Sequence, residues 1–80
     1  MKLAQLEKAE WIRVASDAVR KVRYHRERKW LDLQYVDGET YRYENTTAAE
    51  FRELLDAESI GAYVNQVFKP AHLVYRKIRF

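Results

Sequence analysis

An 80-residue chain that is 48% hydrophobic and 34% charged can bury about two-thirds of its unfolded surface, enough for one modest core and no second domain. With no cysteine, a disulfide framework and a thiolate metal cage are excluded, so the fold rests on apolar packing in which 14% of residues are aromatic. The net charge of +3 conceals a segregation: Arg13 to Lys29 holds seven Lys/Arg and two acids, Asp32 to Glu58 two Lys/Arg and eight acids, and Ser59 to Phe80 four Lys/Arg and no acid.

In chain order, Met1 to Ala9 reads as an N-terminal extension, with Leu3, Leu6 and Ala9 spaced for a short helix, ahead of a single domain over residues 10–80. Charge interrupts this start too early for a signal peptide, and no apolar run reaches a membrane span. A cytoplasmic protein without membrane contact is expected. Val22 and Tyr24 alternate with polar residues, as do Leu31, Leu33 and Tyr35, which predicts two strands. After Asp37-Gly38 the run Thr40-Tyr41-Arg42-Tyr43-Glu44 alternates again and predicts a third. A two-residue loop would pair Leu33 with Arg42 and mix polar with apolar side chains on both faces. A three-residue loop, Val36-Asp37-Gly38, instead pairs Tyr35 with Glu39, Leu33 with Tyr41 and Leu31 with Tyr43. That register predicts a type I turn with Gly38 as a left-handed bulge residue.

Beyond Asn45 the period becomes helical. Thr47 and Glu50 have capping-box spacing, and Phe51, Leu54 and Leu55 form an apolar stripe. A second helix is expected from Ser59, where Ile60, Tyr63, Val64, Val67 and Phe68 share a face, to Lys69-Pro70. The tail from Leu73 to Phe80 mixes apolar and basic residues and suits a further strand or an extended segment. The expected fold is α+β: an antiparallel meander of about three strands with two helices packed on one face.

From Val14 to about Tyr75 the chain resembles the KTSC domain, a short bacterial module that also occurs at the C-terminus of some lysyl-tRNA synthetases. The resemblance is carried by Val14 and Ser16, Val22 and Tyr24, Leu31-x-Leu33-x-Tyr35, Gly38 with Tyr41-x-Tyr43, Phe51, Leu54, Ala57-x-Ser59-x-Gly61 and Tyr63-Val64-Asn65. Two departures stand out: Asn45-Thr46-Thr47 occupies the place of a Val-Pro pair, and Arg23 that of a glycine. The resemblance implies no particular activity, with RNA binding as an expectation. It marks Tyr41, Tyr43, Ser59 and Gly61 as family signature residues, read here as structural: two core tyrosines, a helix cap and a glycine for close helix approach.

No constellation suits catalysis. His25 and His72 lack metal-ligand spacing, Ser16 and Ser59 lack a local base, and Glu50 and Glu53 read as solvated carboxylates. No enzyme activity, metal or cofactor is expected. The dense basic segment is the candidate surface: Arg20, Lys21, Arg23, Arg26, Arg28 and Lys29, with Arg76, Lys77 and Arg79 as a second patch, suits the phosphates of RNA or another polyanion. Trp11 and Trp30 are candidate partner anchors, although the expected place for Trp30 is beneath the N-terminal extension. The alternative reading is a protein-interaction or self-association module with no nucleic-acid role. The sequence is silent on oligomeric state.

Overall fold

The computed structural model describes residues 9–78. Its sheet is wider than the periodicity predicts, with five antiparallel strands in sequential order: β1 (Ile12–Arg13), β2 (Val19–His25), β3 (Trp30–Tyr35), β4 (Thr40–Tyr43) and β5 (Tyr75–Ile78). The expected three-stranded meander is thus its centre. The two additional strands form the edges, one too short to show a period and one carrying the mixed tail. The expected helix over residues 1–9 and the basic Arg79 lie outside the described residues, apart from Ala9, which has no helical structure.

The β3–β4 register is the one required by keeping leucines and tyrosines on a common face: Leu31 faces Tyr43, Leu33 faces Tyr41, and the Tyr35 amide donates to the Glu39 carbonyl at 2.8 Å. Gly38 closes the loop at φ +94°, with its amide donating to the Tyr35 carbonyl at 2.9 Å. A Cβ there would meet nothing within 4 Å, so only backbone strain opposes a side chain. Gly38→Ala is therefore expected to cost about 1–2 kcal/mol in a urea titration, the steric penalty of a left-handed L-residue. A loss near zero would show that the hairpin relaxes.

Helix α1 (Ala48–Asp56) starts at the expected capping box. The Glu50 amide donates to Thr47 Oγ1 at 3.1 Å, and the Thr47 amide donates to Glu50 Oε1 at 2.9 Å. Thr47 thus starts the helix with no proline at its first turn. Helix α2, residues 60–71, is capped by Ser59, whose Oγ accepts from the Ala62 amide at 3.2 Å. Its parts are α-helical Ile60–Tyr63, a π-helical stretch Val64–Phe68 and a last α-helical turn Lys69–Ala71. The helix continues through Pro70 rather than ending at it. A proline crowds the carbonyl four residues before it, and the widened π turn relieves that contact.

Both helices cover one face of the sheet. Val19, Val22, Leu31, Leu33, Tyr43, Leu54, Ile60, Val64 and Phe68 form the core between them. Gly61 brings α2 against the loop before β2, because a Cβ there would lie 3.2 Å from Ala18 Cβ. The close approach is helix to loop, not helix to helix. It is fixed by Ser16 Oγ, which accepts from the amides of Ala18 and Val19.

Candidate nucleic-acid interface

The face of the sheet turned away from the helices carries a row of charges. Cross-strand pairing places Arg23 opposite Asp32, Asp32 opposite Arg42, and Arg42 opposite Arg76, with His25 opposite Trp30 one step along. Asp32 is fully buried at the centre. Its carboxylate accepts from Arg23 Nε and Nη2 at 3.1 and 2.9 Å, from Arg42 Nε and Nη2 at 2.8 and 3.0 Å, and lies 2.8 Å from His25 Nε2. Burial alone would raise the pKa of this carboxyl, but the hydrogen bonds from Arg42, His25 and Arg23 outweigh it and hold the pKa below its ordinary value.

Each guanidinium held by Asp32 also lies over a tryptophan. Arg23 sits 4.2 Å from the Trp11 ring centroid and Arg42 sits 4.2 Å from that of Trp30. Lys21 approaches Trp11 at 4.8 Å, while Arg28 and Arg76 approach Trp30 at 5.1 and 5.3 Å. Trp30 is thus half-buried among guanidinium groups, and the extension expected to cover it lies, over residues 1–8, outside the described residues. The contacts form a ladder from Trp11 through Arg23 and Asp32 to Arg42, which turns back over Trp30 on the same strand as Asp32.

The predicted basic residues divide between locations. Lys21, Arg23 and Arg76 belong to this face, while Arg26, Arg28 and Lys29 occupy the exposed β2–β3 turn at its end. Lys29 is left-handed at φ 58°, and its carbonyl accepts from the Thr46 amide at 2.9 Å. Thr46 is buried; its hydroxyl donates to the Tyr43 carbonyl and its carbonyl accepts from Tyr24 Oη, so the basic turn is tied to the core. Arg20 is drawn elsewhere, donating to the Val36 carbonyl at 3.0 Å. Lys77 pairs with Tyr41 on the helix-facing side and bonds Glu39 at 2.9 Å. The two expected patches therefore do not merge as whole segments.

Residues 15–72 match the family model of the KTSC domain. The chain belongs to the KTSC domain family. An uncharacterized protein of Stutzerimonas stutzeri (strain A1501) is 36% identical over 67 residues, 84% of this chain and 94% of that one. A protein of Tsukamurella paurometabola is 37% identical over 57 residues, 71% of this chain and 85% of that one. The crystal structure of a KTSC domain protein from Yersinia pestis shares the fold with a TM-score of 0.84 at 22% identity, covering 90% of this chain and 100% of that chain.

The residues expected as a KTSC signature make packing and capping contacts in this chain. Tyr43 is buried against Phe68, with ring centroids 5.0 Å apart, and Tyr41 is half-buried beside it. Ser59 caps α2, and Gly61 allows it to touch Ala18. Sequence reasoning passed over the Asp32 hub. The β3–β4 register already set Asp32 beside Arg42; Arg23 and His25 join only when β2 pairs through its four-residue turn. Glu50, read as solvated, bonds His72 at 2.6 Å, and Glu53 accepts from Tyr63 Oη at 3.0 Å. Among the described residues no cluster of three or more His, Asp or Glu side chains is arranged to hold a metal. No helix among them is long and apolar enough to cross a membrane.

Proposed function

We propose that this KTSC domain is a noncatalytic nucleic-acid-binding module that takes single-stranded RNA on the open face of its sheet. The carrying observation is the cluster itself: two tryptophans interleaved with Arg23, Arg42, Lys21 and Arg76 on a face that no helix among the described residues covers. Phosphates are drawn by the cations, and unstacked bases pack on indole and guanidinium planes, a combination that suits single strands more than duplexes. Arg26, Arg28 and Lys29 extend the positive potential from the adjoining turn. Cytoplasmic RNA is the partner this reading implies.

Fluorescence anisotropy with labelled single-stranded RNA, a structured tRNA and duplex DNA, at several salt concentrations, tests it. Single-stranded RNA is expected to bind most tightly, with a steep salt dependence. Changing Arg26, Arg28 and Lys29 together to Ala reduces the log-log salt slope by about 2, since each single-strand phosphate contact contributes about 0.7. Trp30→Ala weakens binding about tenfold at fixed salt, base stacking being worth about 1–3 kcal/mol. Absence of binding, or binding indifferent to both variants, overturns the reading.

One observation favours the alternative of a protein-interaction or self-association module. Leu73, Val74 and Val67 are 79%, 66% and 51% exposed beside the edge strand β5. A concentration-dependent dimer in sedimentation, abolished by Leu73→Asp, is the result expected on that alternative.

A further inference from the structure

Between strand β5 and the last turn of α2 opens a cavity of about 330 Å³ lined by Tyr35, Tyr41, Tyr43, Tyr75, Lys69 and His72. It lies on the opposite side of the sheet from the Asp32 ladder, so a ligand held there is independent of the RNA reading. We infer that this cavity is a binding site for a planar aromatic anion of the nucleoside monophosphate class, the base against the tyrosine rings and the phosphate at Lys69.

Ring geometry supports the aromatic half of that ligand. Tyr41 meets Tyr35 edge-on at 5.7 Å and 69°, and meets Tyr75 edge-on at 5.9 Å and 75°; Tyr75 is tilted at 34° to Tyr43. Among the described residues no ring stacks parallel on Tyr41 or Tyr75, which leaves π faces to take a planar ring, while the Lys69 ammonium lies over Tyr35. Tyr75 is itself 55% exposed and offers an aromatic surface. The volume stands at the lower end of the range of about 300–1,000 Å³ for small-molecule sites and has room for a base with its sugar.

The charges support the anionic half. Burial raises the Tyr35 and Tyr43 hydroxyl pKa above the ordinary phenol value, Tyr35 the more strongly, so both are neutral at physiological pH. The Glu50 carboxylate is engaged by the wall residue His72 at 2.6 Å. Lys69 places its ammonium 5.3 Å from the Tyr35 ring centroid and is exposed, with no carboxylate in salt-bridge range among the described residues. A neutral aromatic floor with a cation at its rim selects a planar ring bearing negative charge.

Amide chemical-shift mapping with AMP, UMP, adenosine and N-acetyltryptophan as probes tests the site. AMP and UMP are expected to give saturable shifts at Tyr41, Lys69, Leu73 and Tyr75. Adenosine binds about three- to tenfold more weakly than AMP, for want of one charge-assisted contact. Lys69→Met erases that difference, and Tyr75→Ala weakens both ligands. Both residues are exposed, so an unchanged thermal midpoint certifies each variant's fold. A 5′-phosphorylated tetranucleotide that shifts the same amides identifies a strand end as the source; shifts from AMP alone identify the free nucleotide. The inference is overturned by the absence of saturable cavity shifts, by AMP binding indifferent to both variants, or by tighter binding of N-acetyltryptophan, which would make the site one for peptide termini. Failure of the open-face reading is seen separately, in Trp11 and Trp30 indole signals that do not respond to RNA.

Discussion

Asp32→Ala is expected to destabilise the domain by about 3 kcal/mol, the lower part of the range for removing one partner of a buried ion pair. The lower part applies because the Arg23 and Arg42 side chains keep 16% and 15% exposure and regain some water once the carboxylate is gone. Asp32→Asn preserves shape yet is expected to recover little, since two guanidiniums would then face an uncharged amide. The carboxyl pKa is depressed in the folded state, so its contribution is fully present above the ordinary value of about 3.9 and is lost as pH falls through the lower folded value. Urea titrations from neutral pH to pH 2 check this: the gap between wild type and Asp32→Asn should close across that acid window. A gap that stays constant, or a neutral-pH loss below about 1 kcal/mol, would mean that the cluster behaves as a solvated surface network. RNA affinity should fall as well, because Asp32 holds the two guanidiniums against their tryptophans.

Phe68→Ala is expected to cost still more, about 3–5 kcal/mol, as for other buried aromatic truncations. Phe68 is 1% exposed, meets Tyr43 edge-on and stacks on His72 with centroids 4.3 Å apart. A chain of this size has about 4–12 kcal/mol in total, so the variant should be partly unfolded at ambient temperature. Its midpoint in a calorimetric scan should drop by at least about 12 °C. Phe68→Leu, which keeps most of the volume, should lose distinctly less. Equal losses would locate the energy in the ring contacts rather than in the filled volume.

The centre of the fold was legible because mispairing there has a visible penalty. The register of a two-residue loop sets Arg42 against Leu33, and Gly38 is the residue of that loop that takes a left-handed bulge without a Cβ penalty. Thr47 and Ser59 were legible as caps because capping is local. The edges were not. Strand β1 pairs only Ile12 and Arg13, too few for a period. Strand β5 puts Tyr75 and Lys77 on the helix side and Arg76 and Ile78 on the other, but Tyr75, Arg76 and Lys77 are all exposed, so burial imposes no alternation. The open-face site was half legible. The basic residues were visible as a run, but their partition between the sheet, the turn and the helix side depends on strand parity. The hub on Asp32 gathers residues from three strands, beyond the reach of a local motif.

The bond from Thr46 to the Lys29 carbonyl bears on how a ligand would meet the basic turn. A cationic loop that wanders in solvent must be immobilised on association, at about 0.5–1.5 kcal/mol for each long side chain ordered and more for its backbone. Here the main chain between β2 and β3 is already pinned to a buried threonine. A polyanion docking there would leave the peptide path unchanged, and the freedom given up on contact would be chiefly its own.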